Sequence, residues 1–480
     1  MDKKECNMNF EELLKSGFAP SQDSRNVKKG EIYFCLTDDE AKARERVAEA
    51  LEHGAEFAVS NFDLGERCIK VADAREDFAL FCKNFYKSAC EEMKMIAISG
   101  TNGKTSTSHI VAEMLRRNGK RVGVVGTNGV FFDGQKKPCP LTTPDADFLH
   151  RTFLDMKNAG VEYVVMEVSA HAIDQKRTFG ILFDVGVLTN ITQDHLDYFG
   201  TMENYEKTKL SFFNHKNMKF AIFCMDDERA KKLLLTCDIP SKSYGINSPS
   251  DTFAMCILCA INGSRFVANV EDSVLNIKTN LVGEYNVYNC LAALEVCKRL
   301  GLSDKELELG LNFINPVEGR FNVINFFGKY VVVDFAHTPD GILNVLKTAR
   351  KMTNRKLFII FGCGGNRDKT KRPQMGEIAE KYADYVCLTN DNPRFEKPLD
   401  IISDIEKGMK KPHLVECDRK KAIKRVLSIA GKDDIIIVAG KGAEKYQEIE
   451  GVKHEYNDFD AILQCMRETK REMSEKEKVL

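Results

Sequence analysis

The chain has 480 residues, of which 43% are hydrophobic and 29% charged, and its formal net charge is -1. This is a soluble, globular balance with room for roughly three domains. It excludes a strongly basic nucleic-acid binder, and no apolar run approaches the ~20 residues of a membrane span.

The opening MDKKECNMNFEELLKSG is charged and lacks an apolar core, so no secretory leader is expected. The 16 cysteines, scattered from Cys6 to Cys465, then read as reduced thiols of a cytoplasmic protein. Cys256 and Cys259 form a close pair with no second pair at zinc-site spacing, so they read as strand cysteines. Residues 1–92 read as a small mixed α/β unit, with EIYFCL and EFAVS as strands around the helical AKARERVAEALEHGA. Residues 93–317 open on the strand KMIAISG, a glycine loop and a helix. RVGVVGT, VEYVVMEVS, FDVGVLTNI and KFAIFCM follow as buried strands, so a parallel sheet is expected. The stretch 247–280 reads as a small β excursion. Residues 318–480 alternate four strands (YVVVDFA, KLFIIFG, DYVCLTN, DIIIVAG) with helical patterns, a doubly wound domain ending in a charged helix or tail.

Gly100-Thr101-Asn102-Gly103-Lys104-Thr105 lies between a strand and a helix. Backbone N–H groups in such a loop surround phosphate oxygens, and the helix N-terminus adds a favourable dipole. Lys104 would reach the β- and γ-phosphates and the Thr105 hydroxyl would hold Mg²⁺. The full GxxxxGK[ST] pattern fails, because its first glycine falls on Ile98; a short GxxGKT remains. Glu167 and the pair Asp194-His195 end buried strands near this loop, where they would offer ligands to a second Mg²⁺. Lys209 shares a helix face with Tyr205 and Phe213, and spacing alone reads it as a surface lysine lying along aromatic rings.

Taken together, GTNGKT, LTTPD, MEVSAHAIDQKR, TNITQDHLDYFGTMENYEKTK, GEYNVYN, EGRF, DFAHTPDG, GCGGNRDKTKRPQMG, TNDNPRFEKP and GKGAEKYQ resemble the Mur ligases of peptidoglycan synthesis. The resemblance covers residues 21 to about 460, in order. It implies a UDP-substrate domain, a central P-loop ATPase domain and a Rossmann-like amino-acid domain, in a cytoplasmic monomer using ATP and Mg²⁺. It implies that Lys209, fourteen residues after His195, becomes a carbamate and joins Thr105, Glu167 and His195 around the metals, with Lys104 on the phosphates. Asn286, Asn289, Arg320, Asp334 and His337 match nucleotide contacts. Ser24, Thr142, Thr143, Ser169, Gln175 and Arg177 match contacts to a UDP-muramoyl dipeptide. Arg367, Asp391, Asn392, Arg394, Gly440 and Glu444 match an amino-acid pocket, whose DNPR form is similar to that of enzymes adding meso-diaminopimelate. Arg394 would pair with a distal carboxylate that lysine lacks.

The first unit departs most from the family pattern. Its G…DGH stretch falls on Asp38 and Lys42-Ala43-Arg44, which places the UDP contact in question. Ala443 replaces the histidine of GKGHE, Asn366 the aspartate of GCGGDRD, and Met225 the asparagine of NxDD. A ligase adding lysine or working on another acceptor, and a nucleotide-binding module without ligase activity, are the alternatives. The presence of Lys104, Glu167, His195 and Lys209 argues against the second.

Overall fold

The computed structural model describes residues 10–479, with side chains through 471; Cys6 and the end of the charged tail fall outside this range. The first sheet joins β1 (Ala19–Ser21), β2 (Glu31–Phe34), β3 (Phe57–Ser60) and β4 (Cys68–Lys70), all parallel and in sequence order. Asp39 accepts from the Lys42 N–H and starts the helix Glu40–Glu52; Asp73 does the same for Ala74–Phe85 through Arg75 and Glu76. A small core forms where Phe34 meets Phe78 and Phe81 on that second helix.

The central sheet has 11 strands. Its parallel part comprises β5 (Lys94–Ser99), β6 (Val122–Gly126), β9 (Tyr163–Val168), β10 (Val185–Leu188), β11 (Ala221–Cys224) and β12 (Ser241–Gly245). A meander of β7 (Gly129–Phe132) and β8 (Gln135–Lys137) extends one edge. The other edge is extended by β13 (Thr252–Ala260), β14 (Gly263–Val270) and β15 (Ser273–Thr279), which carry the expected β excursion as part of the sheet. Strand β5 lies between β10 and β9, the point where strand order reverses. Crevices at such points, outside the carboxyl ends of the strands, bind ligands in open α/β sheets. Near-continuous apolar strands such as Ile96–Ile98 and Val185–Leu188 are covered on both faces by helices, as a parallel sheet requires.

The third sheet runs β16 (Asn322–Phe326), β17 (Lys329–Asp334), β21 (Ile435–Ala439), β18 (Leu357–Phe361), β19 (Tyr385–Leu388) and β20 (Leu414–Val415), parallel except for β16. A hairpin, β22 (Tyr446–Ile449) and β23 (Val452–Glu455), follows it. Arg419, 2% exposed, forks onto both oxygens of Asp458 at 2.8 Å and ties the terminal helix Asp458–Val479 to this sheet. The fifteen described cysteines are free thiols. Among the described residues, no helix is long and apolar enough to cross a membrane.

Candidate active site

The glycine loop leaves β5 and enters the helix Lys104–Arg117. Gly100 has φ +136, and a Cβ there would overlap the Thr189 hydroxyl, so only glycine fits. Asn190 in the next strand-end loop accepts from the Asn102 N–H through its side chain (3.0 Å), and its carbonyl accepts from the Thr101 N–H (2.8 Å). The Lys104 ammonium folds back onto the Gly100 and Thr101 carbonyls, 2.9 Å from each. Sequence reasoning did not nominate Thr189 and Asn190; their signal was position, at the end of the strand beside the loop.

Glu167, 1% exposed, ends β9 and accepts from Thr105 Oγ1 with both oxygens at 3.0 Å and from the Thr127 N–H at 2.8 Å. A side chain on Gly126 would overlap its carboxylate. Burial here fixes an anion and a hydroxyl side by side, a hard oxygen pair suited to Mg²⁺. His195 stands at φ 55, with Nε2 3.3 Å from Asp194 and its ring against His171. Burial drives its pKa down to about 3, so the imidazole stays neutral at pH 7. Burial also works against the Asp194 charge, yet His195, Lys371 and His337 hold its pKa below the usual range. Among the described residues, no three His, Cys, Asp or Glu side chains converge as a ready metal site.

Lys209 corrects the surface reading drawn from its spacing. It is 1% exposed, donates to the Gly100 carbonyl at 2.8 Å and sits 5.1 Å from the centre of the Tyr205 ring. Burial, with the Lys104 charge nearby, lowers its pKa well below that of a free lysine, which favours the neutral, nucleophilic amine.

The third unit closes over this loop. Arg320 donates from Nη2 to Thr105 Oγ1 at 3.1 Å and stacks 4.4 Å from the Phe335 ring. Asp334 ends β17 and is held by the N–H groups of Phe321 and Ala336, each at 2.8 Å; burial raises its pKa. His337 donates from Nδ1 to the Phe335 carbonyl (2.8 Å). Asn102 donates to Asp340 (2.8 Å), and Lys371 lies 3.7 Å from Asp194. Asn289 accepts from Thr107 and donates to Asn286, whose own amide donates to the Val282 carbonyl. Both asparagines are therefore committed within the protein behind the loop.

On the other side of Glu167, Thr143 Oγ1 donates to the Glu167 carbonyl (2.8 Å) and lies 3.3 Å from Ser169 Oγ. Thr142 meets Thr127 at 3.1 Å. Arg177 donates to the Thr143 carbonyl (2.7 Å) and to Gln175 (2.5 Å), so these five residues form one wall. Ser24 is separate from it. Its hydroxyl donates to Glu49 (2.5 Å), and its carbonyl accepts from His53.

In the third sheet, Asp391, Asn392 and Arg394 follow β19, beside Gly440 at the end of β21. Asn392 donates to Glu444 (3.0 Å), and Lys441, fully buried, donates to both Asn392 and Glu444. Arg394, at φ 51, donates to Glu448 (3.1 Å) and to the Gly365 carbonyl (2.8 Å). Its Nη2 has no partner among the described residues. Asp391 likewise keeps one buried oxygen without a hydrogen bond. The stem of Arg367 lies beside Arg394 at Gly364, while its guanidinium faces Asp197 of the central unit at 3.7 Å. Lys441 and Glu448 were not nominated from sequence, although Lys441 lies within a quoted motif. Of the substituted positions, Asn366 accepts from the Phe395 N–H, and the Asp226 that follows Met225 accepts from Tyr288. No structural reason for Ala443 is evident.

The Mur ligase middle domain matches residues 98–297, and the Mur ligase glutamate ligase domain matches residues 319–442. A UDP-N-acetylmuramoyl-L-alanyl-D-glutamate--2,6-diaminopimelate ligase of Clostridium tetani is 37% identical over 93% of this chain and 94% of its own. The enzyme of that name from Geobacillus thermodenitrificans is 38% identical over 90% and 91%. A solved structure of a diaminopimelate ligase of this name superposes with TM-score 0.69 at 32% identity, covering 94% of this chain and 95% of that one. The MurF ligase of Thermotoga maritima, solved in complex with ADP, shares the fold with TM-score 0.64 at 18% identity, over 95% and 98% of the two chains. With motifs, sheet order and near full-length relatives in agreement, this chain belongs to the Mur ligase family.

Proposed function

We propose that this protein couples ATP hydrolysis to amide-bond formation, adding meso-2,6-diaminopimelate to UDP-N-acetylmuramoyl-L-alanyl-D-glutamate. The first unit and the Thr142–Arg177 wall would take the UDP-linked acceptor, the central loop ATP, and the third sheet the amino acid. The observation that carries the reading is the buried Thr105–Glu167 pair beside the glycine loop, reached by Arg320 from the third unit. The near full-length diaminopimelate ligases support the choice of substrates.

In this reading the acceptor carboxylate takes the γ-phosphoryl group of ATP, and the C–O bond of the resulting acyl phosphate breaks when the diaminopimelate amine attacks. Backbone N–H groups of residues 100–105 orient the phosphates, and Lys104 swings from its two carbonyls onto them. Mg²⁺, held by Thr105, Glu167, His195 and carbamylated Lys209, would neutralise charge on the phosphates. Asp391 and Glu444 would receive the ammonium of the incoming amino acid. Arg394 would receive its distal carboxylate through the free Nη2. Closure through Arg320, Lys371 and Asn102 keeps water from the acyl phosphate.

The test is phosphate release from ATP with the UDP-linked dipeptide present, comparing meso-diaminopimelate with L-lysine. Release with diaminopimelate alone is expected. Release with lysine discards the Arg394 reading, and release with neither discards the acceptor.

A further inference from the structure

A second feature of the acceptor side adds Arg75 and Asp38 to the residues assigned so far, and it rests on the acceptor reading above. A cavity of about 230 Å³ opens at the seam between the first and central units, lined by Gln22, Arg75, Asp145, Gln175, Lys176 and Arg177 over an apolar floor. Arg75 comes from the first turn of the helix Ala74–Phe85, and Arg177 from the loop after Ala170–Asp174. Folding thus brings guanidinium groups from two units to one space. Lys176 stands between them, at φ 54. Its ammonium reaches Asp73 (2.6 Å) and Glu76, which fixes the helix carrying Arg75 against the loop carrying Arg177. Arg177 Nε is buried without a hydrogen bond, 3.4 Å from Asp145.

The acids around this cavity are not equivalent. Asp73 caps its helix and binds Lys176; Glu76 binds Lys176; Asp145 accepts from Gln22 at 2.8 Å. Asp38 has one partner among the described residues, Arg75 at 2.9 Å, and its side chain is 67% exposed. An ion pair so exposed contributes at most about 1 kcal/mol, so Asp38 is the anion most easily exchanged. A diphosphate presents several charged oxygens to two guanidinium forks and binds them more strongly than one carboxylate does.

We propose that Arg75 and Arg177 together bind the diphosphate of the nucleotide-linked acceptor, and that Asp38 is a displaceable counter-ion holding Arg75 until the acceptor arrives. Asp38 acts through Arg75 and sets how tightly the acceptor is held.

The experiment is calorimetric titration of UDP into the full chain with saturating Mg²⁺ and ADP, so that the phosphate loop is already filled. Asp38→Asn is expected to tighten UDP about two- to five-fold. Arg75→Met is expected to weaken it roughly ten-fold or more, with Arg75→Lys between that variant and the unsubstituted protein. The double variant D38N/R75M should match Arg75→Met, because the gain requires Arg75. With the UDP-linked dipeptide, the same order should appear in KM more than in kcat. An Asp38→Asn variant with unchanged affinity, an equal gain in the Arg75→Met background, or no UDP binding by any variant overturns the proposal. Failure of the acceptor reading looks different: the UDP pattern holds, but phosphate release never depends on the dipeptide.

Discussion

The phosphate loop and the first sheet use the same device, loops at the carboxyl ends of parallel strands, but hold their polar groups differently. Around the loop, Glu167, Thr105 and Lys209 are buried, and each is tied to backbone or to another buried side chain. On the first sheet, Asp38, Lys42 and Arg44 are exposed and paired with one another's neighbours. Exposed pairs contribute between zero and about 1 kcal/mol each. Substitution there has little effect on folding, whereas a change in the buried cluster leaves a desolvated partner behind.

The sharpest break of that contrast is Lys209→Ala. Loss of the anionic ligand expected from its carbamate should reduce kcat by roughly 10²–10³-fold, with partial rescue by short-chain carboxylates. Burial lowers its pKa and so favours the neutral amine that takes up CO₂, and depleting bicarbonate should also lower activity. Unchanged activity in the alanine variant sinks the assignment. Gly126→Ala follows, since its methyl group would displace Glu167. A shift of about 1 Å at such a site costs roughly 10²-fold in kcat, and a kcat within a few-fold of the original would mean that Glu167 is not placed for chemistry.

Arg394→Ala tests the third sheet, where recognition is half-buried. Truncation also releases Glu448 and the Gly365 carbonyl, a loss common to both amines, so the excess loss for meso-diaminopimelate over lysine reads the substrate contact. KM for meso-diaminopimelate should rise roughly 10- to 100-fold, with a much smaller change for lysine. Equal changes for both amines would mean that Arg394 only supports the loop.

A smaller effect is expected at the seam between the two units compared here. His150 is 1% exposed on the helix Ala146–Asn158, both ring nitrogens lack partners, and burial pushes its pKa down to about 3. The unfolded chain binds this proton near pH 6.5 and the folded one does not, so stability is present above that pH and lost as pH falls toward 3. At pH 5 the loss is about 2 kcal/mol. His150→Phe should remove that part of the decline in the unfolding midpoint between pH 7.5 and 5. An unchanged decline would mean that the folded protein protonates this ring.

Legibility in the sequence followed the same division. The glycine loop could be read because its residues are consecutive, and Glu167 and His195 because strand ends are legible from apolar runs. Lys209 could not be placed by spacing, because a lysine between aromatic residues looks alike whether it faces water or the Gly100 carbonyl. Thr189, Asn190, Lys371 and Lys441 all lie within the quoted motifs, but they act across the sheet or between units, and a motif does not say which distant group each one meets. The antiparallel strands at 252–279 were visible, but their union with the central sheet depends on pairing between Tyr244-Gly245 and Thr252-Phe253.

Ser24 supplies the smallest effect and the finest test of the contrast. The family match makes its hydroxyl a contact near the uridine. In the fold that hydroxyl is 2.5 Å from Glu49, and the residue is only 7% exposed. A group already bonded to a carboxylate contributes little further to a ligand, because any new bond replaces an existing one. Ser24→Ala should therefore change acceptor KM less than about three-fold, while lowering stability by about 1–2 kcal/mol through the unpaired Glu49. Calorimetry with UDP and a denaturant titration separate the two. A ten-fold loss of UDP affinity at unchanged stability would show that Ser24 releases Glu49 on binding, and that the first sheet rearranges around its ligand rather than receiving it as built.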